Sequence, residues 1–233
     1  MELHGEKFQL LSTDPAARIV MPDGAVVPVS TKMVYLGATL SADGCDSPEV
    51  NRRIGLAKAS FLSVAKVWSH SSLTWRRKLY VFSALVESKL IYSLSSMCLT
   101  KADQRRLDGF QNRCIRQITG VKPAFISKVS NADVLVRAGH RAASTLVYKC
   151  RLQLFGKVLR SPISKPMRQA CFIAGTYIST TEQFVRRVGR PSKEWVRESL
   201  ADVCSLFGSV EAASQLASNK EQWNMALQNK LMF

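Results

Sequence analysis

The sequence predicts an α+β fold that is mainly α: a small antiparallel β segment at the N-terminus, a helical bundle after it, and a helical C-terminal region. Three observations predict this. Apolar residues alternate with a period of two up to about residue 46, then recur every three or four residues to the end of the chain. The 233 residues are 46% apolar, enough for a substantial core. The charge divides at the same places: residues 1–46 hold three Lys/Arg against six Asp/Glu, residues 47–160 hold 21 against five, and residues 161–233 hold nine against six. Residues 1–46, 47–160 and 161–233 are therefore the three expected units.

In the first unit, Lys7–Leu11, Arg18–Met21, Ala25–Val29 and Met33–Leu40 read as strands, with Pro22-Asp23-Gly24 as a hairpin turn and Asp43-Gly44 as another. Val34, Leu36 and Leu40 are expected to cover the first helix. That helix starts at Ser47-Pro48-Glu49, with an N-cap serine, a proline in the first turn and an acid against the dipole. Its apolar stripe is Val50, Ile54, Ala57, Phe61, Val64 and Trp68. Thr74 opens a second helix with Leu79, Phe82, Val86, Leu90 and Leu94 inward. Thr100 and Asp103 resemble a capping box for a third, whose stripe is Leu107, Phe110, Cys114 and Ile118, ending at Gly120. Ser130 and Asp133 cap a short helix that ends at Gly139, and a longer helix spans about Ala142–Leu159. Residues 161–190 read as a linker with a short strand at Cys171–Tyr177. Arg186 to Pro191 form a basic turn into a helix with Trp195, Leu200, Val203 and Phe207 inward, and Asn219 caps a last helix carrying Trp223 and Leu227.

Composition and spacing exclude several classes. The six cysteines are at least 16 residues apart and the three histidines are isolated, so no zinc site is expected. The N-terminus lacks a secretory leader and no stretch of 18 uncharged apolar residues occurs. The expected protein is intracellular, nuclear or cytoplasmic, not secreted and not in a membrane. No Asp-Asp pair, Gly-x-Ser-x-Gly or phosphate-binding glycine loop is present, so no catalytic residue and no metal ligand is assigned.

The net charge of +16 calls for a polyanion, and residues 47–160 are where it would bind. Lys58, Arg52 and Arg53 sit on the first helix, Arg76, Arg77 and Lys78 open the second, and Arg105, Arg106, Arg113 and Arg116 line the third; Lys157 and Arg160 end the fifth. Helices with one buried and one positive face can line a groove for a phosphate backbone. Any one such cation is more often simply solvated. Phe61, Trp68, Trp75, Tyr80, Phe82, Phe110 and Phe155 interleave with the cations, and most fall on apolar stripes and are expected in the core. Trp75, beside Arg76 and Arg77, is the best exception.

From Tyr35-Leu36-Gly37 onward, with Ser41-Ala42-Asp43-Gly44 behind it, the chain resembles the reverse transcriptases of non-LTR (LINE-type) retrotransposons. The likeness continues through Asn51-Arg52-Arg53-Ile54-Gly55-Leu56-Ala57-Lys58-Ala59, Leu99 to Asp103, Arg105 to Gln111, Arg113-Cys114-Ile115-Arg116-Gln117-Ile118-Thr119-Gly120, Val129 to Asp133, Arg151 to Gly156, and Gly189-Arg190-Pro191 with Trp195. Each motif is loose, and their order over about residues 1–200 is what makes the match specific. The resemblance implies that residues 1–46 are a palm remnant with a primer-grip-like turn at Tyr35, Leu36 and Gly37. It further implies that residues 47–160 are a helical thumb and linker and that the rest is a helical C-terminal region. It implies non-specific binding of RNA or an RNA/DNA duplex, no cofactor in this chain, and Mg²⁺ only in the intact family enzyme. The chain departs from the family at Gly156-Lys157-Val158-Leu159-Arg160, where Gly-His is frequent, and after Tyr92, where Glu-x-Trp is absent. No Cys/His knuckle follows, and the family's catalytic Ala-Asp-Asp would lie before Met1. Two other functional readings stay open: a degenerate fragment without a role, and a helical protein-interaction module.

Overall fold

The computed structural model describes residues 8–14, 16–22, 24–184 and 193–231. It is mainly α with a small N-terminal β part. Strands β1 (Leu10–Leu11) and β2 (Val29–Ser30) pair in parallel, and β3 (Lys32–Tyr35) and β4 (Ala38–Ser41) form an antiparallel hairpin. The parallel pair corrects the all-antiparallel expectation. The hairpin expected between Arg18–Met21 and Ala25–Val29 is reduced to a single antiparallel bridge, Val20 to Val26, and Lys7 and Asp23 of those expected elements lie outside the described residues.

The continuous strand expected over Met33–Leu40 is broken by a two-residue turn. Leu36 and Gly37 both have positive φ, 48° and 75°, the signature of a type I′ hairpin. Side chains therefore swap faces across the turn, and Val34, Leu36 and Leu40 are exposed (59%, 77% and 40%) rather than covering the first helix. Strand β4 does touch that helix, but through Thr39, whose N–H donates to the buried Glu49.

Helix α1 (Ser47–Ser63) starts after Asp46, so Ser47 lies inside its first turn and not at the cap. A break at Val64 leads to α2 (Ala65–Ser69). Thr74 caps α3 (Trp75–Phe82), which widens into a π segment at Ser83–Glu87 before α4 (Ser88–Ile91). Two successive steps of four, Phe82, Val86 and Leu90, would drift around a 3.6-residue helix, and the wider turn brings them back; the helix expected to reach Leu94 ends at Ile91, and Leu94 opens a separate 3-10 turn after the left-handed Ser93, yet all four side chains are fully buried. Next come α5 (Lys101–Thr119), capped by Thr100, and α6 (Ala124–Ser127); α7 (Asn131–Ala138), with a full Ser130–Asp133 capping box; and α8 (Ala143–Leu159). Gly120 and Gly139 end α5 and α7 in the left-handed conformation.

Past α8 the expected strand at Cys171–Tyr177 is instead α9 (Pro166–Cys171) followed by a lone bridge, Phe172 to Ser179. The basic turn expected at Arg186–Pro191 lies outside the described residues, and the helix expected after it is α10 (Trp195–Phe207). Helix α11 (Val210–Ala217) was not anticipated, and α12 (Lys220–Leu231) starts where Asn219 accepts the N–H groups of Glu221 and Gln222.

Two cores result. The first joins α1, α3, the π segment, α4, α5, α7 and the start of α8, from Val50 to Val147. The second runs from Leu152 to Leu227 and joins the rest of α8 to α9–α12. Helix α8 thus serves both, and the second core begins inside it. There Trp223 lies flat on Gly156: a Cβ at Gly156 would stand 2.7 Å from the indole Cδ1, and the indole N–H donates to the Leu152 carbonyl.

Candidate nucleic-acid interface

The helical repeats of α1 and α5 place a solvent face opposite the core. On α1 that face is Asn51, Gly55, Lys58 and Leu62, and on α5 it is Ala102, Arg106, Gly109 and Arg113, each set spaced four, three and four. The helices are joined at their starts. The Ser47 hydroxyl meets both Asp103 oxygens at 3.2 Å, and one step further the Arg106 guanidinium donates to the Asn51 side chain. The contacts advance in the same direction on both helices, so the two run parallel here and their cations rise from adjoining faces. Gly55 and Gly109 have open space where a Cβ would be, so a backbone ligand could approach the helix closely between the cations.

Lys58, Arg106 and Arg113 are exposed on this surface; Arg105 is exposed at its margin on the side away from α1, and Arg52 is one-third exposed at the other edge. Among the described residues Arg113 makes only a bond back to its own helix at Gly109, and Arg106 is partly engaged by Asp103 at 3.6 Å.

On α1 and α5, two of the expected contact residues are not available. Arg53 is 5% exposed: its guanidinium donates to Glu49 and to the Gly37 carbonyl and lies 4.5 Å over the Tyr92 ring. Glu49 is fully buried and also accepts from Thr39 N–H at 2.7 Å and Ser93 Oγ at 3.0 Å. Burial pushes its carboxyl up, but the Thr39 N–H and the Arg53 guanidinium outweigh burial and hold it below its ordinary value. Arg116 is 7% exposed and donates to Asn131 and to the carbonyls of Lys122 and Val129. Both arginines hold the fold: Arg53 locks the hairpin onto α1, and Arg116 ties the segment after α5 back to it.

The same node fixes the Tyr35-Leu36-Gly37 turn. Gly37 offers its carbonyl to Arg52 and Arg53, Leu36 offers its own to the Tyr92 hydroxyl at 3.0 Å, and the Tyr35 and Leu36 side chains point to solvent.

Arg76 and Arg77 are exposed at the start of α3, apart from the α1–α5 face, whereas Lys78 turns inward and donates to the Trp68 carbonyl at 2.7 Å. Lys157 and Arg160 sit at the far end of α8 beside the second core and join neither group. Among the aromatics, Phe61, Trp68, Phe82, Phe110 and Phe155 are buried, while Trp75 and Tyr80 are exposed. Arg137 on α7 had no signal of its own in the sequence; tertiary packing brings it to Trp75.

Among the described residues no group of three or more His, Cys, Asp or Glu side chains could hold a metal ion. No described helix is long and apolar enough to cross a membrane. No family model, no curated protein and no solved structure matches the chain.

Proposed function

We propose that this chain binds RNA or RNA/DNA duplexes non-specifically along the sugar-phosphate backbone, using the joined basic faces of α1 and α5, and that it does so as the thumb-side part of a non-LTR reverse transcriptase without polymerase chemistry of its own. One observation carries the reading: Lys58, Arg105, Arg106 and Arg113 stand exposed on two helices fastened together through Asn51 and Arg106. The order of sequence motifs supports the family assignment, and the lack of paired aspartates supports a holding role. Backbone contacts position a protein without reading bases, so binding is indifferent to sequence.

The test is fluorescence anisotropy on unrelated duplexes over a range of salt. Log affinity falls linearly with log salt by roughly 0.9 per phosphate neutralised. Replacing Lys58, Arg105, Arg106 and Arg113 with glutamine flattens the slope by up to about 3.6, four such contacts, and leaves the circular dichroism spectrum intact. A folded variant with the parent slope removes this surface.

A protein-interaction role has one observation in its favour, the exposed Val34, Tyr35 and Leu36 of the hairpin. That reading expects weak nucleic-acid binding that the four substitutions do not change.

A further inference from the structure

The chain has four tryptophans, and three use their indole N–H inside the protein: Trp68 donates to Phe61, Trp195 to Ser95 and Trp223 to Leu152, each to a backbone carbonyl. Trp75 makes no such bond among the described residues and is 40% exposed. It stands at the mouth of a cleft of about 430 Å³ between α3 and α7, with Arg76, Tyr80, Val136, Arg137 and His140 around it. A second hollow of about 210 Å³ lies under the same Trp75 and reaches Thr119 and Val121 at the end of α5. Tyr80 is 79% exposed, and the Arg76 guanidinium lies 5.4 Å over the Trp75 ring. No acid lines the cleft. Its polar floor is already used: His140 Nδ1 donates to the Ala138 carbonyl, and Nε2 shares a hydrogen bond with the Ser83 hydroxyl at 2.9 Å. The rest of the lining includes two aromatic rings, two guanidinium groups and an indole N–H that has no partner among the described residues.

From this we infer that the α3–α7 cleft holds unpaired nucleotides, with a base stacked on Trp75 or Tyr80 and its phosphates against Arg76 and Arg137. Ring faces accept any base, the guanidinium groups supply the backbone attraction, and the cleft is of the size that encloses small organic ligands. A base pair cannot use it, because stacking on a side chain in a cleft requires a base free of its partner. The inference rests on the reading of the chain as a nucleic-acid binder and extends it: the α1–α5 face holds duplex, and the cleft holds the single strand that leaves it.

The test compares a blunt RNA/DNA duplex with the same duplex carrying a short unpaired tail, by anisotropy, on the full chain, Trp75→Leu/Tyr80→Ala and Trp75→Phe. The tailed duplex binds the parent about fivefold or more tighter than the blunt one, the effect of a single stacked base. Trp75→Leu/Tyr80→Ala abolishes that advantage and leaves the blunt affinity and its salt slope unchanged, while Trp75→Phe keeps part of it. The tail also quenches the parent's tryptophan fluorescence more than Trp75→Phe's. A parent that shows no preference for the tail overturns the inference, as does a double variant that keeps the preference. Equal loss on blunt and tailed duplexes in the double variant also overturns it, since the two rings would then serve the fold or the duplex surface. A cleft that takes a protein segment instead gives no tail preference and no quenching. Failure of the blunt duplex to bind any protein strikes the α1–α5 reading; the cleft is then read from the tailed duplex alone, whose binding to the parent supports it when Trp75→Leu/Tyr80→Ala abolishes that binding and overturns it when the double variant keeps it.

Discussion

Replacing Arg53 with glutamine removes one partner from a carboxylate that has no exposure at all. Glu49 then keeps the Thr39 N–H and Ser93 hydroxyl, with Arg52 at 3.5 Å, but loses its buried counter-charge. The Gly37 carbonyl loses a donor at the same time. Breaking a buried pair from one side costs about 3–5 kcal/mol, a large share of a typical stability of about 5–15 kcal/mol. In a chain of this length each kcal/mol moves the midpoint by about 2–4 °C, so thermal denaturation followed by circular dichroism should fall by about 6–20 °C. Acid titration gives a second signature. A carboxyl whose folded pKa is depressed contributes stability that is complete above the unfolded value, near 4.5, and is lost as pH falls through the lower folded value. The parent therefore loses stability below about pH 4.5 more steeply than Arg53→Gln, which has already lost the pair. A folded Arg53→Gln with an unchanged midpoint and a flattened salt slope would refute the reasoning, because Arg53 would then be a phosphate contact and not a lock.

Gly156→Ala should cost about 1–3 kcal/mol in urea denaturation, because its Cβ collides with the Trp223 indole in the middle of the second core. Leu36→Asn should raise stability by about 0.5–1 kcal/mol: φ is +48° there, the side chain is 77% exposed, and Asn-Gly is the favoured type I′ pair. Alkylation at neutral pH followed by mass spectrometry should label the exposed Cys45 and Cys204 first, and Cys114 only on unfolding, since it is buried and burial pushes its thiol up to about 12.

Periodicity located the helices because each stripe is a local property. Val50, Ala57 and Phe61, or Leu107, Phe110, Cys114 and Ile118, are buried as their spacing implies. Capping chemistry at Thr74, Thr100 and Ser130 was equally legible. What could not be read locally was what folds back over a helix. Arg116 lies opposite the α5 stripe, where an arginine belongs to solvent, and is buried only because the segment from Lys122 to Asn131 returns to cover it. Arg53 gave more warning: it flanks the Val50–Ala57 stripe, four residues after Glu49, a spacing that suits an ion pair. The turn inside Met33–Leu40 was missed because leucine is a poor residue for positive φ, and only the carbonyl acceptors at Leu36 and Gly37 explain how it is held. The α3–α7 cleft has no linear signature, since Trp75 and Arg137 are 62 positions apart in the chain.

Helix α8 gives its first half to one core and its second half to the other, with no loop between them. Seventeen residues make a rod of about 25 Å, stiff on the scale of a domain. A second strut stands beside it, the Trp195 indole N–H on the Ser95 carbonyl. The C-terminal helices cannot swing on a flexible joint; any tilt they make must bend the rod or break the strut. A force applied at α12 is therefore delivered through α8 to the segment around Ala143, where Gln111 of α5 holds the Ala143 N–H at 2.7 Å, so that pulling on one end of this protein strains the interior of the other.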